Sequence, residues 1–141
     1  MGGINISLIG RKISDIQESM AVLLRYAERE DSDFLSDEDA IRSAKYVFIV
    51  LVEAATSIAA HLCAKIVKKV PATYADTYFL LSENGVLESE LAANLAKMAR
   101  FRNLLVHGYA SVDNRKMLEI MRGNLGDLNR FFESVQRVLG S

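Results

Sequence analysis

"YVFIVLVEAATSIAAHLCAKIV", residues 46–67, is the stretch that decides the fold, because its apolar residues recur with a helical period. They follow alternating steps of four and three residues, the spacing of a seam between packed helices. A second apolar face on the same segment indicates that the helix is covered on more than one side. This surplus of apolar surface predicts a homodimer that forms through helix faces. The seam consists of Ala44, Phe48, Leu51, Ala55, Ile58 and Leu62.

The same stretch is nearly long enough to span a membrane. Glu53 and His61 lie inside it, and Thr56 and Ser57 add polarity. A charge at the middle of a bilayer is costly, whereas a helix in a bundle accommodates such residues at its edges. The segment is therefore interpreted as the core helix of a soluble protein, with no membrane contact.

The remaining segments also show helical periods, and no β-like alternation persists. Ser36, followed by three acidic residues, predicts the capped start of the long helix, and Pro71 predicts its end or a kink in it. The sequence therefore predicts an all-α, four- to five-helix up-and-down bundle, in one domain over residues 1–141. The predicted helices cover about 7 or 11 to 29, about 37–70, a short segment after Pro71 closed by Asn84-Gly85, about 88–108, and about 114–139.

Composition excludes several classes of protein. The net charge is −1 and the isoelectric point is near 6.1, so the chain lacks the overall basic field of a bulk nucleic-acid binder. Cys63 is the only cysteine, which excludes an internal disulfide and suits a reducing, cytoplasmic location. The first residues lack the pattern of a signal peptide, so none is expected.

"RFRNLLVHGY", residues 100–109, places a polar set in a short apolar stretch: Arg102, Asn103, His107 and Tyr109, with Arg100 beside them. Asn103 and His107 are one helical turn apart and share a side, as do Arg102 and Tyr109 if the helix persists that far. Arg102 and His107 are five residues apart and splayed, so they would flank a cleft. Two copies facing each other across a dimer axis would bring four such groups around one groove.

This set suits the chemistry of a phosphodiester. A guanidinium offers paired donors to phosphate oxygens, and a histidine moves a proton near neutral pH. RNA carries its own nucleophile, the 2′-hydroxyl, so such a site needs no metal ion. Residues 97–116 are locally basic, with Asp113 as the only acid. The cations are Lys97, Arg100, Arg102, Arg115 and Lys116.

Structural alternatives exist for the same residues. Arg102 could pair with a nearby carboxylate, Asn103 could help to end a helix, and His107 could be a buried, hydrogen-bonded residue at a helix C-terminus. Elsewhere, His61 and Cys63 point to different sides of a helix and make a poor metal pair. The chain has no zinc spacing and no glycine-rich phosphate loop, so no metal site is predicted.

The longer string "MARFRNLLVHGYASVD", residues 98–113, resembles the HEPN superfamily, and specifically its HepT-like toxins. Their signature is R-x-x-x-x-H-x-Y with a polar residue after the arginine. It matches Arg102, Asn103, His107 and Tyr109 here. The helix order and the place of the motif on the penultimate long helix agree as well.

The resemblance implies a homodimeric endoribonuclease toxin with one composite, metal-independent site and no cofactor. Its substrate would be RNA, and its partner an MntA-like nucleotidyltransferase antitoxin that transfers AMP to Tyr109. In this interpretation His107 is the general acid or base, Arg102 the phosphate clamp, and Asn103 a residue that orients the substrate or His107.

Two other functions remain open from the sequence. The chain could be the non-catalytic, nucleotide- or partner-binding subunit of a two-protein nucleotidyltransferase, in which Arg102 and His107 contact phosphate without cleaving it. It could also be an adaptor bundle in which the motif has no activity.

Overall fold

Seven α-helices form the described part of this computed structural model, which comprises residues 3–108 and 112–140; no strand occurs within those ranges. The all-α bundle predicted from the helical periods is therefore confirmed. The number of helices exceeds the predicted four to five, because the first connector forms a helix and the last predicted helix is divided. The helices are α1 (Ile6–Ala27), α2 (Asp31–Leu35), α3 (Glu38–Leu62), α4 (Tyr74–Glu83), α5 (Ser89–Val106), α6 (Asn114–Gly123) and α7 (Gly126–Leu139).

Helix α3 is the centre of the bundle. Its predicted seam residues are all buried, and α1, α4 and α5 pack around it. Burying a large apolar side chain contributes about 1.5–3 kcal/mol, so this seam is a main source of stability. Glu38–Val67 is the one described helical segment long and apolar enough to cross a membrane, and half of its most apolar window is buried in the protein. The core helix of a soluble protein has the same properties.

The start of α3 differs from the prediction. The cap is Asp37, whose Oδ1 accepts a hydrogen bond of 3.0 Å from the Ala40 N–H. Ser36 instead ends α2, where its hydroxyl donates to the Ser32 carbonyl at 2.7 Å. The connector becomes helical because Phe34 is fully buried in the core, which fixes that segment against the bundle.

The end of α3 also differs, because the α-helix ends at Leu62 rather than near residue 70. One π-helical turn, Cys63–Val67, follows it. Lys68 then adopts a left-handed conformation with φ of +61°, and its N–H donates to the Cys63 carbonyl at 2.7 Å. The chain therefore leaves the helix before Pro71, so the predicted role of that proline as the helix stop is wrong.

The last predicted helix is broken between Gly123 and Gly126. Glycine has low helix propensity, and two glycines three residues apart allow the chain to change direction there. The apolar stripe continues across the break, since Met117 and Met121 of α6 and Leu128 and Phe132 of α7 are all buried. The periodicity therefore identified the inward side correctly but not the bend.

Candidate functional site

The sequence of α5 fixes the orientation of the motif. Its inward side is buried along its length, and Phe101 packs edge-on against Phe48 of α3, with ring centroids 5.7 Å apart. The helix ends as predicted just before Gly108, because the His107 N–H donates to the Asn103 carbonyl at 3.0 Å and Gly108 has a φ of +68°. A positive φ favours glycine, so this residue sets the end of the helix.

Arg102 is held from three sides. One Nη pairs with the Glu53 carboxylate on α3, and the other donates to Asn103 Oδ1 at 3.0 Å. The guanidinium carbon lies 4.7 Å from the centroid of the Tyr74 ring, at the start of α4. The Arg102 side chain is only 14% exposed. Its orientation therefore depends on residues from three helices.

These contacts orient Arg102 more than they stabilise the fold. A cation over an aromatic face contributes about 0.5–2 kcal/mol. The ion pair adds little, because the Glu53 side chain is 43% exposed and partly exposed pairs contribute about 0–1 kcal/mol. The guanidinium has five N–H donors. Its Nε is buried without a hydrogen-bond partner, and Asn103 and Glu53 engage one Nη each, so one further N–H on each Nη is unused.

Asn103 is hydrogen-bonded to both Arg102 and His107. Its side-chain oxygen accepts from Arg102, while its backbone carbonyl accepts from the His107 N–H. His107 itself is exposed at the C-terminal end of α5, whereas Arg102 is turned towards α3 and α4. The two are therefore splayed, as their spacing predicts, and His107 is not the buried residue of the structural alternative. Tyr109 lies outside the described residues.

Sequence reasoning missed two residues of this site. Tyr74 carries no signal in the sequence that links it to the motif, and Glu53 stands out only as a charge within an apolar stretch. That charge was the available signal, because an acid on the apolar helix of a bundle requires a cation nearby. The alternative in which Arg102 pairs with a carboxylate is what the structure has, although the pair leaves further Arg102 donors unused.

The predicted basic segment is divided by the fold. Arg102 pairs with Glu53, and Arg115 lies 4.0 Å from the Asp31 carboxylate at the other side of α6. Within residues 3–108 and 112–140, Lys97, Arg100 and Lys116 have no carboxylate oxygen within 4.0 Å. These three cations are therefore the local positive charge that remains available.

The other chemically active side chains are engaged in the structure. Cys63 is buried, which raises the pKa of its thiol, and its sulfur lies 3.4 Å from the Thr77 carbonyl oxygen. Burial likewise raises the pKa of Tyr78, whose hydroxyl is 2.9 Å from Thr56 Oγ1. His61 Nε2 accepts the backbone N–H of Asn5 at 3.0 Å. No group of three or more potential metal ligands occurs among the described residues.

Comparison with known proteins identifies relatives of the sequence. The family model for HepT-like ribonucleases matches residues 16–135. The mRNA nuclease HepT of Shewanella oneidensis is 27% identical over 84 residues, which cover 60% of this chain and 63% of that protein. A provisionally named RNase of Archaeoglobus fulgidus is 32% identical over 94 residues, which cover 67% of this chain and 70% of that protein.

Solved structures share the fold. A toxin–antitoxin structure with AMP-PNP is 23% identical, with a TM-score of 0.87 over 93% of this chain and 98% of that chain. The tri-AMPylated HEPN toxin of S. oneidensis, in complex with MNT antitoxin, is 24% identical, with a TM-score of 0.86 over 95% of this chain and 99% of that chain. A cytosolic Bacillus subtilis protein of unknown function, YutE, is 16% identical, with a TM-score of 0.83 over 99% of this chain and 93% of that chain.

Proposed function

The chain belongs to the HepT-like ribonuclease family, and from this premise we propose that it is an endoribonuclease toxin that cuts RNA without a metal ion. The family match confirms the resemblance inferred from the R-x-x-x-x-H-x-Y string. The observation that carries the proposal is the guanidinium of Arg102, which is fixed by Glu53, Asn103 and Tyr74 yet keeps one unused N–H on each Nη.

Arg102 is the phosphate clamp in this proposal. A planar guanidinium binds two phosphate oxygens in a paired geometry, and fixing it in advance reduces the entropy lost on binding. Asn103 supports this role through its side chain and supports His107 through its carbonyl group. A shift in α5 would therefore displace the side chains of Arg102 and His107 together.

His107 is the general acid or base. A neutral imidazole takes the proton of the ribose 2′-hydroxyl, the 2′-oxygen attacks phosphorus, and the bond to the 5′-oxygen breaks. The leaving oxygen takes a proton from an imidazolium, and a 2′,3′-cyclic phosphate remains. Each copy of the chain supplies one His107, so a dimer provides one histidine for each proton transfer.

A second copy completes the site in this proposal. Tyr46, which is 69% exposed, and Val50 continue along α3 to Glu53, the partner of Arg102. Val106, at the end of α5, is also an exposed large apolar residue. Exposed apolar residues on both sides of the motif support a dimer through the faces of α3 and α5.

The partner proposed for this toxin is an MntA-like nucleotidyltransferase antitoxin in the cytoplasm. The S. oneidensis HEPN toxin of similar fold is tri-AMPylated and in complex with MNT antitoxin. In this chain the acceptor would be Tyr109, two residues after His107. Phosphate groups added there would repel an RNA backbone from the site and so neutralise the toxin.

One observation favours the non-catalytic alternative. The charge of Arg102 is already balanced by Glu53, which suits an arginine that holds a nucleotide or partner better than one that stabilises the extra negative charge of a transition state. The two functions differ in whether RNA is cut, so activity distinguishes them.

The test is cleavage of several RNAs in the presence of EDTA by the wild type, Arg102→Ala and His107→Ala. We expect the wild type to cut and each variant to lose at least about 100-fold in rate, with the dimer and the helical fold retained. Undiminished cleavage by His107→Ala would remove that residue from the chemistry. No cleavage by a folded, unmodified wild-type dimer would favour the binding subunit.

Expression in cells supplies an independent check. The wild type expressed alone should arrest growth, and His107→Ala at the same protein level should not. A harmless wild type that accumulates in folded form would contradict the toxin.

A further inference from the structure

A groove of about 390 Å³ lies between α5 and α6, beside the motif but on another side of α5 from Arg102. Its apolar lining comes from Met98, Phe101 and Leu104 of α5 and from Ile120 of α6. Two asparagines, Asn94 and Asn124, also line it. Its cations are Lys97, Arg100 and Lys116.

The three groove cations differ from most other positive groups near α5 and α6. Arg102, Arg115 and Arg122 each pair with an acid of the chain. Lys97, Arg100 and Lys116 are exposed and have no ion-pair partner among the described residues. Arg100 lies over the Phe79 ring at 5.7 Å, which keeps its position without neutralising its charge. The groove is therefore a positively charged site around an apolar surface.

The groove leads to the proposed catalytic residue. Lys97, Arg100, Leu104 and His107 are spaced by three, four and three residues, so they form one stripe along α5. All four are exposed, with Leu104 at 46%. A ligand in the groove that follows this stripe therefore reaches His107 at the end of the helix.

We propose that the α5–α6 groove binds an unpaired nucleotide of the RNA substrate next to the scissile phosphate, with its base against the apolar lining at Leu104 and its phosphates on Lys97, Arg100 and Lys116. This inference rests on the proposed nuclease function and names its substrate as single-stranded RNA. Proteins that bind single strands combine a cationic groove with a surface on which bases stack. In a duplex the flat faces of the bases are stacked on one another and cannot reach such a floor.

The observations favour RNA over an acidic protein segment. An acidic segment would pair with the three cations but would leave the apolar lining of the groove without an apolar group packed against it. A nucleotide offers both parts, because a negative phosphate is joined through the ribose to a flat, largely apolar base. A groove of this volume is in the range of about 300–1,000 Å³ typical of small-ligand sites.

The experiment measures binding of a 2′-O-methyl RNA oligonucleotide, which lacks the attacking hydroxyl, to the wild type and to a Lys97→Glu/Lys116→Glu double variant. We expect the double variant to lose at least tenfold in affinity. The salt dependence of log K should also fall by about 0.7 for each phosphate contact removed. The control is Arg11→Glu. Arg11 is an exposed residue of α1 outside the groove, so reversing its charge should leave the affinity for the oligonucleotide unchanged.

Two further measurements test the base and the single strand. Leu104→Ser, at a half-exposed position, should weaken binding about three- to tenfold without altering the salt dependence, because it removes an apolar contact with the base but no charge. A duplex of the same sequence should compete poorly. Equal competition by the duplex would overturn the assignment to an unpaired nucleotide.

The outcomes separate this inference from the proposed function. Unchanged oligonucleotide affinity in the double variant, together with metal-free cleavage by the wild type, would overturn the groove and leave the nuclease intact. Groove-dependent binding without any cleavage would keep the groove and overturn the nuclease. Loss of antitoxin binding alone in the double variant would make the groove a protein-docking surface and overturn the inference.

Discussion

Two arginines near the ends of neighbouring helices join separate parts of the bundle, Arg102 on α5 and Arg122 on α6. Arg122 donates from Nε to the Ala27 carbonyl at 3.1 Å, from Nη1 to Asp31 at 2.6 Å, and from Nη2 to the Arg29 carbonyl at 2.8 Å. All three of its nitrogens are engaged with the end of α1 and the connector that follows.

Arg102 uses its donors differently. Its two Nη groups contact one carboxylate and one side-chain amide, its face lies on Tyr74, and its Nε has no partner. Carbonyl groups at a helix end are fixed parts of the backbone, and satisfying them holds α1 against α6. Arg122 therefore joins two backbone segments to α6, whereas Arg102 is oriented by side chains and an aromatic ring.

Replacing each arginine by lysine should give the largest contrast. Arg102→Lys keeps the positive charge near Glu53 but loses the planar donors, so we expect RNA cleavage to fall by about 100-fold or more. Arg122→Lys is the matched control and should retain the activity of the folded protein. Equal activity of the two variants in a metal-free cleavage assay would contradict the distinction.

Truncating Arg122 should affect stability. Arg122→Ala removes three hydrogen bonds from a side chain that is 39% exposed, so we expect the free energy of unfolding to fall by about 1–3 kcal/mol. Urea unfolding followed by circular dichroism measures this. Arg102→Ala should cost less, since its ion pair is partly exposed and its Nε is already without a partner. A larger loss for Arg102→Ala would mean that the structural and functional residues have been exchanged.

Glu53→Gln tests whether the carboxylate of Glu53 positions the guanidinium of Arg102. The amide keeps the shape of the side chain but loses the charge that orients Arg102, so we expect cleavage to fall roughly tenfold through misplacement of the guanidinium. This loss should appear mainly as an increase in KM, because Arg102 binds the phosphate of the substrate in the ground state. Glu38→Gln, at a fully solvent-facing ion pair of α3, is the control and should not change activity. Unchanged kinetics in Glu53→Gln would show that Glu53 does not position Arg102.

Asp37 gives the smallest expected effect. The Ala40 N–H, followed by the Arg29 guanidinium, lowers the pKa of this carboxyl below its ordinary value of 3.8. The folded-state pKa is therefore below the unfolded one, so the ionised form stabilises the fold above about pH 4, and this contribution is lost as the pH falls further. Asp37→Asn still caps α3 but cannot titrate. The decrease in melting temperature between pH 6 and pH 3 should be slightly smaller in Asp37→Asn than in the wild type, and an identical decrease would contradict the assignment.

The periodic parts of the molecule were predictable because they depend on local spacing. The seam of α3 and the end of α5 before Gly108 follow from which residues lie three and four apart, and the structure confirms both. Helix boundaries were less predictable. The π turn at Cys63–Val67 and the helical connector around Phe34 arise from packing against other segments, which periodicity does not contain. The single domain over residues 1–141, the dimer and the roles of Arg102, Asn103, His107 and Tyr109 stay predictions.

The helical class, the family and the motif follow from the sequence alone, since each depends on residues that are close along the chain. The contacts that orient the motif are apparent only in the folded protein. Glu53 and Arg102 are 49 residues apart, and Tyr74 lies between them in sequence on a third helix. Their contact depends on how α3, α4 and α5 pack, which is a sum of many small side-chain contacts. The groove between α5 and α6 has the same origin, because its two sides belong to helices that the chain brings together only on folding.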